Sequence, residues 1–540
     1  MWTKESLLEL IQTRLQDYPL IVVANREPYL HRFVSGRIEC VPPVSGMVSA
    51  LDPILRACGG TWIAHGSGSA DRRTANAQGH VRVPPGNPSY TLRRLWLSKE
   101  QEDGYYSGLA NAGLWPLCHM VFTRPVFNPR HWAMYRQVNE LFAQAVLEEA
   151  GDEPAFVFVQ DYHLGLLPRM LKEKNANLIV AHFWHIPWPI PEVFQTFPWK
   201  EELLDGLLGN DLLGFHLRCH CQNFLDTADR ILEAKVDYER FEITRGRKVT
   251  VVRPFPISID FEDHEALAGS QAVEADIERW RQQLGLTGDE IVGCGIDRID
   301  YTKGIPERLR ALDRFLEKYP DYQERLVFVQ VGVPNRMHVR QYKMLDDEVD
   351  SLVEEINWKW STDFWRPIVY LKHQHSPVQM MALHRLAAFC MVTSLDDGMN
   401  LVAKEFVASR IDEDGVLILS RFTGAARELS QAMVVNPFAE EEVAEAIHQA
   451  LEMSPEERGK RMQKLRAVVA ENNIYRWAGK LLSALLNFEF PESTQAELEP
   501  ETVLLTRKQE IGISPVLPPA ASRSQKSIKE LESASGGRFS

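Results

Sequence analysis

Eleven short, mostly apolar runs punctuate this chain, and nothing else in it constrains the fold as tightly. They lie at 20–23, 156–159, 178–181, 212–215, 249–252, 291–295, 326–331, 368–371, 389–392, 416–419 and 433–435. Their apolar residues follow one another without the in–out alternation of a half-exposed strand, so both faces are expected to be buried. Helix-like stretches at 134–150, 306–318 and 439–452 fall between them, and residues 4–16 place Leu7, Leu8, Ile11 and Leu15 on one helical face. Buried strands interleaved with helices predict an α/β chain whose parallel sheets are covered on both sides.

A seam falls at Pro254-Phe255-Pro256, ahead of a polar helical stretch at 261–285 and a new strand near Ile291. The expected organisation is a first domain at 1–255 and a second at 256–488. Each sheet would point its strand C-termini toward a shared cleft, where ligands of such folds bind. From Pro491 the composition turns to Glu, Ser, Thr, Pro, Gln and Lys, so 489–540 is expected to be a disordered tail. A formal charge of −14 argues against binding along a nucleic-acid backbone but leaves room for a local basic cleft. No apolar run approaches the roughly 18 residues of a membrane span. Seven cysteines and an N-terminus without a signal-peptide core suggest a cytoplasmic protein. A homo-oligomer is compatible with the sequence, which does not fix the assembly state.

Two segments carry chemistry. Ser394-Leu395-Asp396-Asp397-Gly398-Met399-Asn400-Leu401-Val402-Ala403-Lys404-Glu405 follows a buried strand and reads as a tight turn into a helix. Gly398 would let the backbone approach a ligand closely. Free amides at the helix start, over Met399, Asn400, Leu401 and Val402, would face a diphosphate or sugar hydroxyls. Asp397 can accept from sugar hydroxyls and Glu405 from a ribose. Taken alone, the segment reads equally well as an ordinary helix capped by Asp397. The second segment, Gly295-Ile296-Asp297-Arg298-Ile299-Asp300-Tyr301-Thr302-Lys303-Gly304, also leaves a buried strand. Arg298 and Lys303 suit a diphosphate leaving group, whose charge grows as its bond to a sugar breaks. Alone, they would read as solvated surface cations.

The two segments together, about a hundred residues apart, resemble the trehalose-6-phosphate synthase family of glycosyltransferase family 20, over residues 18–488. The resemblance implies the GT-B architecture, two Rossmann-like domains facing a cleft, and a retaining glucosyltransferase. Its substrates would be UDP-glucose and glucose 6-phosphate, with no cofactor and no metal, the nucleotide sugar being a co-substrate. It also implies roles in the first domain. Arg26, in Asn25-Arg26-Glu27-Pro28, would hold the acceptor's phosphate, and Gly46 belongs to a glycine loop near the donor. Tyr106 would touch phosphate and Trp115 would wall the sugar pocket. Asp161, in Gln160-Asp161-Tyr162-His163, would position the attacking hydroxyl, and His185 would contact the donor sugar. Arg336, in the second domain, would supply another phosphate clamp.

The sequence departs from the family at two places. Ser45 replaces a usual Gly, and His65 stands where members carry Trp beside the acceptor sugar. Both leave open a glucosylglycerol-phosphate synthase using ADP-glucose and glycerol 3-phosphate. A catalytically silent sugar-phosphate sensor is a further alternative, although such a protein should have lost donor-site charges that are present here. Gly66-Ser67-Gly68-Ser69 reads as a surface loop, and His216 with Cys219-His220-Cys221 has the wrong spacing for zinc.

Overall fold

The computed structural model describes residues 2–15, 18–41, 46–337 and 339–490. Ser45 and the expected tail from Pro491 onward lie outside the described residues. All eleven apolar runs are strands. Six form one wholly parallel sheet in the order Ile368–Leu371, Leu326–Val333, Ile291–Arg298, Phe389–Val392, Val416–Ser420, Met433–Val435. The chain enters this sheet at Ile291–Arg298, steps outward twice, then returns to Phe389–Val392 on the other side. The strand order therefore reverses between Ile291–Arg298 and Phe389–Val392. The loops leaving those neighbours diverge and open a crevice at their C-terminal ends.

The other sheet has ten strands and the same device. Seven run parallel, in the order Lys248–Pro254, Leu212–Phe215, Leu178–Phe183, Ala155–Gln160, Leu20–Val23, Thr61–His65, Tyr90–Leu95. Antiparallel strands finish both edges: Glu242–Arg245 and Lys235–Asp237 on one side, His80–Val83 on the other. Here the order reverses between Leu20–Val23 and Ala155–Gln160. Both central strands are buried along their whole length.

The hydrophobic core is continuous across the two sheets. One cluster runs from Leu7 through Phe183, Phe255, Val292 and Val331 to Trp477 and Leu486. The last helix, Ile474–Leu485, returns to the first half and packs on helices Lys4–Arg14 and Gly46–Cys58. Trp477 meets Phe183 edge-on at 5.3 Å. Residues 261–285, read as one helical stretch, are two helices, Phe261–Ala268 and Gln271–Gln283. Ser270, between them, caps the second helix.

One buried cation ties the six-stranded sheet together at its site end. Arg308, in helix Ile305–Lys318, is fully enclosed and donates to Asp297 at 2.6 Å, Gln330 at 2.8 Å and Thr393 at 2.9 Å. Its partners come from, or directly follow, the three central strands. Replacing it strands Asp297 as an uncompensated buried carboxyl. Arg308→Met should therefore lower stability to urea unfolding by about 3–5 kcal/mol, much more than a surface arginine of the same helix such as Arg310.

Candidate active site

A cavity of about 490 Å³ lies where the C-terminal ends of the two sheets meet. Most lining residues lie at or just past the end of a strand. Arg26 and Asp161 leave the two strands at the reversal point of the first sheet. Arg298, Lys303 and Asp397 leave those at the reversal point of the second. The cavity also gathers Tyr106, Trp115, His185, Arg336, Met399, Asn400, Leu401, Val402 and Glu405. Of the site residues read from the sequence whose surroundings are described, all but Gly398 line it. Gly46 opens helix Gly46–Cys58, whose second residue, Met47, lines it.

In the second half the two charged segments join. Lys303 donates to Asp397 at 2.5 Å, and both side chains are largely buried. Burial would raise the Asp397 carboxyl, but Lys303 and the Asn400 amide hold it below the ordinary carboxylate range. The helix Leu401–Ser409 is capped by Asn400, at φ 79, whose side chain accepts from Ala403 N–H. Asp397 is therefore freed from capping and faces the cavity. Gly398 makes a close approach within the protein itself. A Cβ there would lie 2.7 Å from the His185 carbonyl oxygen, so the glycine lets this turn press against the first half. Arg298 is half-buried with its guanidinium 5.9 Å from the Trp115 ring. Glu405 reaches the cavity from the second turn of the helix, and burial pushes its carboxyl up to about 7 with no compensating partner.

Three groups, two from the first half and Arg336 from the second, converge elsewhere on the cavity wall. Arg26 is exposed, and Arg336 is buried with its guanidinium 4.7 Å from the Trp115 ring and 5.9 Å from the Tyr106 ring. Burial would raise the Tyr106 phenol, yet the Arg336 and Arg26 guanidiniums bring it down to about 8. Two cations flanking a phenol make a site for a dianion. Below Arg26, its neighbour Glu27 accepts from the enclosed Arg94 at 2.7 Å and from Ser67 N–H at 3.1 Å. The glycine-containing loop read as plain surface thus turns amides inward, with Gly68 N–H donating to Asp71.

Asp161 has φ 69, and its Oδ1 accepts from Tyr162 N–H at 2.9 Å and His185 N–H at 3.2 Å. Burial raises its carboxyl to about 6 against those two bonds and the nearby arginines. His185 donates from Nε2 to Gln160 Oε1 at 3.0 Å, and burial keeps the ring neutral, so Nδ1 is left as an acceptor. His216 donates to the His185 carbonyl at 3.0 Å, fixing the loop that Gly398 touches.

Sequence reasoning assigned no role to several lining residues, among them Asn25, His119, Gln160, Tyr162, His163 and His216. Gln160, Tyr162, His163 and His216 sit at or just past strand ends, and that position was a usable signal. His119 follows the four-residue helix Trp115–Cys118 and had none. His65 is absent from the lining, and its Nδ1 donates to the Leu95 carbonyl at 3.2 Å. Among the described residues one group of metal-ligating types comes together, Cys294, His384 and Cys390. All three are buried, and none lines the cavity. Cys219 and Cys221 lie in helix Arg218–Ile231.

The sequence model of glycosyltransferase family 20 matches residues 18–487. The trehalose-6-phosphate synthase of Mycolicibacterium vanbaalenii is 39% identical over 478 residues, covering 87% of this chain and 96% of that protein. The synthase of the same name from Mycolicibacterium smegmatis is 38% identical over 474 residues, covering 86% and 92%. Among solved structures, the E. coli trehalose-6-phosphate structure bound with UDP-2-fluoro glucose superposes with a TM-score of 0.78 at 31% identity, covering 87% of this chain and 99% of that one. The UDP-forming α,α-trehalose-phosphate synthase of Burkholderia xenovorans, in complex with glucose-6-phosphate, gives 0.78 at 28% identity, covering 86% and 99%.

Glu405 gives the cavity a measurable signature. Its carboxyl titrates at about 7 when folded, against an ordinary value of 4.5. The folded state therefore prefers the protonated form. The cost is absent below pH 4.5, grows between pH 4.5 and 7, and is full above 7. Glu405→Gln should raise urea stability by about 1–3 kcal/mol at pH 8, and the gain should vanish by pH 4.5.

Proposed function

The chain belongs to glycosyltransferase family 20, and on that footing we propose that it makes trehalose 6-phosphate from UDP-glucose and glucose 6-phosphate with retention at the anomeric carbon. The observation that carries this reading is one cavity with two charged ends. Arg26, Tyr106 and Arg336 meet at one end, and Arg298, Lys303, Asp397 and Glu405 at the other. The first set suits a phosphate dianion on the acceptor. The second suits a sugar diphosphate with its ribose on Glu405. We assign the acceptor to the 1–255 half and the donor to the 256–488 half, with a GT-B cleft between them.

The reaction follows from those placements. The acceptor phosphate seats on Arg26 and Arg336, which swings the sugar's anomeric hydroxyl toward Asp161. His185 Nδ1 and Asp397 accept from donor hydroxyls. The bond from the donor anomeric carbon to the diphosphate oxygen breaks, and the acceptor hydroxyl attacks from the same face. Its proton passes to a diphosphate oxygen as the new glycosidic bond forms. Arg298 and Lys303 meet the charge that builds on the leaving diphosphate, so the chain's own cations supply the stabilisation. A cytoplasmic site of action fits seven cysteines that are all free. The donor-side charges are complete, which favours an enzyme over a silent sensor.

The test is a product assay pairing UDP-, ADP- and GDP-glucose with glucose 6-phosphate and glycerol 3-phosphate, read by mass and anomeric NMR. Trehalose 6-phosphate with α,α linkage is expected from UDP-glucose and glucose 6-phosphate. A glucosylglycerol phosphate as the main product would contradict the reading. Arg298 shows no ion pair among the described residues, so its removal should separate catalysis from folding. Arg298→Ala should lower kcat about a hundredfold or more while unfolding stability changes by less than about 1 kcal/mol.

A further inference from the structure

His119 is enclosed, with about 1% of its surface open, yet it lines the cavity. Its Nδ1 donates to the Trp115 carbonyl at 2.9 Å, and its ring lies against the Trp115 ring with centroids 4.2 Å apart. A carbonyl can only accept, so the proton sits on Nδ1 and Nε2 carries a lone pair. Nε2 has no hydrogen-bond partner among the described residues. The ring stays neutral, since burial brings its pKa down to about 4. The charges that act on it are Asp397, Asp300 and Lys303, all from the second half.

The next residue shows which subsite this lone pair serves. Met120 N–H donates to Asp396 Oδ2 at 3.1 Å, so the chain just after His119 is clamped onto the turn that carries Asp397. A first-half segment thus delivers one neutral acceptor to the donor end of the cavity, beside the Lys303–Asp397 pair. A lone acceptor there has one useful partner, a hydroxyl. The ammonium of Lys303 already donates to Asp397, and a diphosphate offers no proton. Resting on the glycosyltransfer reading above, we infer that His119 Nε2 accepts a hydrogen bond from one hydroxyl of the transferred hexose. His119 thereby reads that hydroxyl and couples donor recognition to the contact between the halves.

The experiment pairs His119→Phe and His119→Gln with UDP-glucose and its four monodeoxy analogues (2-, 3-, 4- and 6-deoxy). In the unaltered protein, the analogue lacking the contacted hydroxyl should lose roughly tenfold or more in kcat/KM. In His119→Phe, UDP-glucose should lose a similar factor, and that one analogue should lose nothing further, while the other three keep their wild-type penalties. UDP alone should bind the variant within twofold of wild type. His119→Gln, which keeps an acceptor oxygen, should restore part of the loss. A purely structural role would lower all five donors alike, with every deoxy penalty unchanged, and that pattern would overturn the inference. If no acceptor supports transfer, the glycosyltransfer reading fails separately. The same comparison then runs on binding of UDP-glucose and its analogues relative to UDP, with the same two outcomes.

Discussion

Arg336 is a cation almost wholly removed from water, held where loops from both sheets meet. It carries φ 52, donates to Tyr342 at 2.7 Å and Tyr162 at 3.4 Å, and lies over the Trp115 ring. Tyr342 and Asp300 belong to the second half, Tyr162 and Trp115 to the first. Burying a guanidinium costs several kcal/mol unless hydrogen bonds and opposite charge answer it. Here the partners are phenols, aromatic faces and Asp300 at 3.9 Å, and Nε has no partner among the described residues. The guanidinium is therefore satisfied only in part, and it lines the cavity. The same contacts join the two halves.

The same logic governs the rest of the cavity. Parallel sheets bring strand C-termini to one face, and a reversal of strand order opens a crevice there. This chain uses that geometry twice, with Arg26 and Asp161 at one crevice and Lys303 and Asp397 at the other. The molecule as a whole is strongly acidic at −14, yet Arg26, Arg298, Lys303 and Arg336 line one cavity. Such a concentration of positive charge in a low-dielectric cleft selects for small phosphorylated ligands. The Glu405 carboxyl, on which burial acts alone, sits high, and the Asp397 carboxyl, which Lys303 answers, sits low. The histidines His119, His185 and His216 are neutral, each with one ring nitrogen committed to a protein oxygen.

Much of this was legible in the residues, because it depends on burial. All eleven apolar runs picked out in the sequence are strands, because flanking turns and β-branched residues mark them off from apolar stretches inside helices such as 380–383. Most strands that escaped notice are polar or alternating ones near the edges, Thr61–His65, buried at its three central positions, being the exception. Tyr90–Leu95 buries every second residue, and the hairpin Leu30–Val34 and Arg37–Val41 is mostly exposed. Single residues were harder where a partner far along the chain decides the role. The glycine at 398 was readable as a close approach, but its neighbour, the His185 carbonyl, was not. Asp397 reads as a helix cap until Asn400, in a left-handed conformation, takes that position and releases it. His119 has no sequence signature because its placement depends on the wide π-helical segment Glu102–Leu114 and the short helix after it.

The proposed function depends on the acceptor's phosphate being held between Arg26 and Arg336. The most direct measurement is the ratio of kcat/KM for glucose 6-phosphate to that for glucose, in the unaltered protein and in Arg26→Gln. Arg26 is exposed and its replacement leaves the buried network intact. The account predicts a strong preference for the phosphorylated acceptor that falls by about a hundredfold in Arg26→Gln, while the rate with glucose is nearly unchanged. An unchanged ratio, with both acceptors slowed alike, would contradict it.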